Sequence, residues 1–102
     1  MIPTPTFSNT RCEIAGLPVA ELAKQFGTPL YVYDQQVIER RIADLAQFDV
    51  VRYAQKACSN LAILDRMRRH GVVVDAVSAG EIHRALAAGY SPDPRKAEIV
   101  YT

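Results

Sequence analysis

A parallel α/β fold is what the sequence predicts, and three observations predict it. From residue 50 onward, short apolar runs alternate with amphipathic stretches at intervals of roughly 20 to 30 residues, the rhythm of βαβ units. The apolar runs are rich in valine and tyrosine and only a few residues long, as strands are. Each amphipathic stretch ends at a glycine, Gly71 and then Gly89, where a helix can close in a left-handed turn.

The elements follow in order. The first sixteen residues carry Pro3, Pro5 and Gly16 among small polar residues and read as an extended arm, with a short strand around 11–14. "LPVAELAKQFG" has a helical pattern with Gly27 as its stop. "TPLYVYD" reads as a short strand of aromatic and β-branched residues, with Pro29 at its start, where a missing N–H is tolerated. Asp34 caps the next helix, whose stripe is Ile38, Ile42 and Leu45. A strand over about 50–56 then leads into a helix opened by Ser59, carrying Leu61, Leu64 and Met67. The second strand, "VVVDAV", hands over to a helix with Ile82, Ala85 and Leu86, and Ser78 and Glu81 stand at capping-box spacing where that helix begins. The two prolines of "YSPDPRKA" forbid helix, and "EIVYT" is a third strand. A three-stranded parallel sheet with open edges is a poor fold by itself, so the 102 residues read as the front part of a longer protein.

Composition narrows the function. The formal net charge is +1, which gives no electrostatic case for nucleic acid or anionic lipid as a partner. The basic cluster "DRMRRHG" falls in the last turn of a helix, where it complements the dipole. Cys12 and Cys58 are far apart and lack metal-ligand spacing, so no metal is expected and a reducing cytoplasm is the expected compartment. The amino terminus lacks the apolar core of a signal peptide, and no run approaches membrane-spanning length.

The chemistry concentrates at "VVRYAQKACSN". Alternation along a strand places Arg52, Ala54 and Lys56 on one face and Val51, Tyr53 and Gln55 on the other. Lys56 then stands at the carboxyl end of its strand, where α/β folds bind ligands, with the small Ala54 leaving space beneath it. In the next strand Asp75 is a charged residue on an otherwise apolar side, within reach of Lys56 across neighbouring strands. A lysine poised between desolvation and a carboxylate suits Schiff-base chemistry, and the same spacing suits a partly buried structural ion pair. Arg52 reads as the partner of a carboxylate elsewhere, and Cys58 as a small packing residue, since neither His70 nor His83 is placed beside it. Tyr31, Tyr33 and Tyr53 read as core or interface aromatics.

The ordered string "FGTPLYVYD", "RYAQKACSNLAIL", "VDAVSAGEIHRALAAGY" and "IVYT" resembles the amino-terminal part of the diaminopimelate decarboxylase family, fold-type III pyridoxal-phosphate enzymes with an alanine-racemase-like barrel. The resemblance covers most of the chain after about residue 17. It implies the first part of a (β/α)8 TIM-like barrel over 29–102, preceded by an arm and helix, 1–28, that partly joins a β-domain. It also implies pyridoxal 5'-phosphate as cofactor, Lys56 as the lysine that forms a Schiff base with it, and Ala54 and Asp75 in the cofactor pocket. The implied reaction is decarboxylation of meso-2,6-diaminopimelate to L-lysine, in the cytoplasm, by a homodimer with sites at the subunit interface. The phosphate-binding loop and substrate-binding residues would lie beyond residue 102, so this segment alone is expected to be inert. Ornithine, arginine and carboxynorspermidine decarboxylases, a racemase, and a non-catalytic homologue are the alternatives.

Overall fold

The structure is a computed structural model that describes residues 11–102. They fall into two compact units that divide between Asp44 and Leu45.

In the first unit, β1 (Glu13–Ile14) and β2 (Leu17–Pro18) form a small antiparallel hairpin, Ile14 facing Leu17. Its turn is made by Ala15 and Gly16, both with positive φ. The predicted strand at 11–14 is present, but its partner takes the first two residues assigned to the helix. Helix α1 (Val19–Phe26) therefore starts after Pro18 and ends at Gly27, whose φ of 81° needs no Cβ and whose N–H closes onto the Ala23 carbonyl. Asp34 Oδ1 accepts from the Gln36 N–H at 2.9 Å, the expected cap of α2 (Gln35–Asp44). "TPLYVYD" opens in a bend at Thr28 and Pro29 and forms no strand among the described residues, and Tyr31 and Tyr33 are exposed. Its residues have strand propensity, which forms no ladder without a neighbouring edge.

The second unit holds a parallel sheet in the order β3 (Arg52–Ala54), β4 (Val73–Ala76), β5 (Ile99–Tyr101). Helix α3 (Leu61–Arg69) connects β3 to β4, and α4 (Ala79–Ala87) precedes the loop into β5. Both crossovers are the predicted βαβ units. One sheet face is covered: Leu64 of α3, Val74 of β4, Ala85 of α4, Ala88 and Tyr90 form the core, with Tyr53 and Ile99 against it. Ala54, Asp75 and Val100 occupy matched positions of the three strands, in line on the opposite face.

Helix ends are fixed by side chains. Asn60, not Ser59, caps α3, its Oδ1 accepting from the Ala62 and Ile63 N–H groups, while Ser59 Oγ donates to the Gln55 carbonyl at 3.1 Å. Both residue types suit a cap. The one that does the capping is the one whose oxygen meets the free N–H groups. Ser78 caps α4 as predicted, accepting from the Glu81 N–H at 3.2 Å. The basic last turn of α3 is also present, and Arg68 and Arg69 both bind Asp65, holding its carboxyl below the usual range.

Tyr90 lies in the segment read as a turn, yet it is a core residue, and its hydroxyl donates to the Val72 carbonyl at 2.8 Å. Burial pushes the phenol from about 10 up to about 12. The folded state thus holds this proton more tightly than the unfolded chain does. Its contribution to stability is complete below pH 10 and is lost as pH rises through about 12. Urea midpoints should fall across that window, and Tyr90→Phe should flatten the fall.

Candidate functional site

The strand carrying the candidate lysine is shorter than predicted. β3 ends at Ala54, and Gln55–Ala57 form a single 3-10 turn, so Lys56 stands just past the carboxyl end of the strand rather than on it. Strand alternation therefore no longer fixes its direction. What does is the turn: Gln55 is fully buried and Lys56 is exposed.

The turn is held from several sides. The Cys58 N–H closes onto the Gln55 carbonyl at 3.1 Å, and that carbonyl also accepts from Ser59 Oγ. Tyr53, whose ring packs against the core, reaches up with its hydroxyl to the Cys58 carbonyl at 2.8 Å. Gln55 Nε2 donates to the Glu81 carbonyl of α4, also at 2.8 Å. The lysine is thus mounted on a rigid piece of backbone at the end of a parallel sheet, where α/β proteins place reacting groups.

Ala54 is exposed and lies directly opposite Asp75 across the β3–β4 ladder, on the uncovered sheet face. Its methyl leaves room above the sheet that a larger side chain would fill. The predicted Lys56–Asp75 ion pair does not form among the described residues. The register aligns Asp75 with Ala54 rather than Lys56, and Asp75 Oδ1 accepts instead from Thr102 Oγ1 at 2.8 Å. The Arg52 guanidinium donates to the Val74 and Ala97 carbonyls, tying β3 to β4 and to the loop before β5. Cys58 is half-buried and in no disulfide, and His83 is exposed on α4. No group of three or more His, Cys, Asp or Glu side chains among the described residues could hold a metal, and none of the helices among them is long and apolar enough to cross a membrane.

Gln55, Asn60, Tyr90 and Thr102 were not legible as partners from the sequence. Gln55, Tyr90 and Thr102 make their contacts through a hydroxyl or amide to a backbone or carboxylate group distant in sequence, whereas Asn60 caps the helix that follows it.

The chain has clear relatives. Residues 35–102 match the family model described as the pyridoxal binding domain of pyridoxal-dependent decarboxylases. Diaminopimelate decarboxylase of Escherichia coli K12 is 54% identical over 94 residues, which are 92% of this chain and 22% of that protein. The enzyme of the same name from Streptomyces coelicolor is 56% identical over 87 residues, 85% of this chain and 20% of that one. A crystal structure of diaminopimelate decarboxylase superposes with a TM-score of 0.81 at 51% identity, covering 97% of this chain and 23% of the other. The three parallel strands and their helices match the amino-terminal part of the TIM-like barrel of that neighbour. The chain spans about a fifth of the length of these relatives.

Proposed function

The chain belongs to the pyridoxal-dependent decarboxylases, and from that premise we propose that the full-length protein decarboxylates meso-2,6-diaminopimelate to L-lysine with pyridoxal 5'-phosphate. The observation that carries the reading is Lys56, an exposed primary amine on a braced turn at the carboxyl end of β3, two residues after the exposed Ala54. Those residues fit an aldehyde-bearing cofactor. The amine supplies the covalent attachment, the methyl of Ala54 leaves room, and Asp75 offers a carboxylate on the same sheet face. The cofactor supplies an electron sink for the charge left on the α-carbon when carbon dioxide departs.

The roles of the chain's own residues follow. Lys56 would hold the cofactor through its side-chain amine. The tie from Thr102 Oγ1 fixes the Asp75 carboxylate toward the strand ends. In this reading residues 29–102 begin the cofactor-binding barrel, and the segment before them carries α1. A homodimer in the cytoplasm is the setting this reading carries with it.

Borohydride reduction of the full-length, cofactor-loaded protein followed by peptide mapping should place a reduced pyridoxyl group on the peptide containing Lys56. An adduct elsewhere refutes the site. A panel of diaminopimelate, ornithine, arginine and carboxynorspermidine should release carbon dioxide from the first alone. Release from another member instead reassigns the substrate.

A further inference from the structure

We propose that Gln55 is a positioning residue for Lys56, an assignment that rests on the reading of Lys56 as the cofactor's attachment point. Gln55 ranks with Leu64 and Val74 among the largest fully buried side chains. Its Nε2 donates to the Glu81 carbonyl, 26 residues away, at 2.8 Å. Among the described residues its Oε1 is buried with no hydrogen-bond partner, and so is Oε1 of Glu81. A buried acceptor without a donor costs stability, and an apolar side chain of similar volume avoids that cost. The amide at position 55 therefore lowers stability relative to methionine while supplying one thing methionine lacks, a directional bond from the lysine's turn to the first turn of α4.

That bond completes a brace. The Tyr53 hydroxyl holds the far end of the turn through the Cys58 carbonyl, Ser59 Oγ and the Cys58 N–H hold the Gln55 carbonyl, and Gln55 itself anchors the near end to α4. Lys56 sits between these anchors, with its side chain exposed. A four-carbon stem has many rotamers, so the accuracy of its amine depends on how firmly its backbone is held. Glu81 belongs to the same device: Ser78 Oγ and the Glu81 N–H and carboxylate fix the start of α4, the surface against which Gln55 pulls.

The test uses the full-length protein with Gln55→Met, which keeps length and volume, and Gln55→Glu, which keeps shape but removes the donor. Amide exchange is read at Cys58 relative to Val74, whose N–H bonds to Glu98 across the sheet. Capture of pyridoxal 5'-phosphate by the apo protein is followed by visible absorbance and by borohydride trapping. In both variants Cys58 should exchange about tenfold faster relative to Val74, and capture should slow by about ten- to a hundredfold. In turnover, kcat should fall with KM unchanged, and Gln55→Met should unfold at or above the native midpoint. Exchange at Cys58 and Val74 rising together would show a merely structural role and overturn the proposal. Capture at the native rate in both variants would overturn it while leaving the decarboxylase reading intact. A native protein that captures no cofactor would instead overturn the reading on which it rests.

Discussion

Lys56→Ala in the full-length protein is expected to lower decarboxylation by at least about a hundredfold, at the low end of what a single proton-transferring group contributes, because in the proposed function this side chain also carries the covalent attachment. Stability should hardly move. The side chain is exposed on a turn whose hydrogen bonds are made by Tyr53, Gln55, Cys58 and Ser59, so its loss breaks none of them and belongs with surface substitutions of about 0.5 kcal/mol or less. The pairing of a large kinetic effect with an unchanged thermal midpoint separates chemistry from folding. The borohydride adduct should vanish from the Lys56 peptide in the same variant. Activity retained within about tenfold would move the chemistry to another amine; within this chain that leaves Lys24 on α1 and Lys96 in the loop before β5.

The contrast between what the sequence made legible and what it did not has a physical basis in these same residues. The β4–α4 unit was readable because its signals are local. Val74 and Ala76 alternate with Val73 and Asp75, and Ser78 and Glu81 are three residues apart. Lys56 stood out as a candidate because a lone lysine at the end of an apolar run is unusual. Its place on a 3-10 turn was not readable, since the pattern Arg52, Ala54, Lys56 looks the same whether the strand continues or stops. The Lys56–Asp75 pair failed for a related reason. Which residue faces Asp75 depends on the parallel register, and periodicity gives a face but no register. "TPLYVYD" failed differently: propensity was read correctly, but a strand needs a neighbour. Gln55 and Tyr90 were hidden because their partners lie 26 and 18 residues away and are backbone carbonyls, which no side-chain pattern announces.

The largest loss of stability is expected at Leu64, a position the helical stripe did reveal. Its side chain is fully buried on α3, at the centre of the cluster with Val74, Ala85, Ala88 and Tyr90. Truncation to alanine removes three carbons from a site flanked by two alanines, which have nothing to extend into the gap, and by Tyr90, which its hydroxyl bond to Val72 holds in place. A cavity that cannot collapse belongs toward the upper part of the range of about 2 to 5 kcal/mol for such substitutions. Leu61 and Leu86 lie on the same two helices but are 43% and 37% exposed, so the same truncation there should cost about 1 kcal/mol or less. Urea unfolding of the full-length variants measures the difference, with a shifted midpoint and an unchanged slope for Leu64→Ala. Because this core backs β3 and β4 without touching the uncovered face, the folded fraction of Leu64→Ala should retain native turnover. A fall in kcat beyond the fraction unfolded would mean that core packing also sets the geometry of the turn above it. Equal costs at positions 61, 64 and 86 would mean that the second unit is not organised around Leu64.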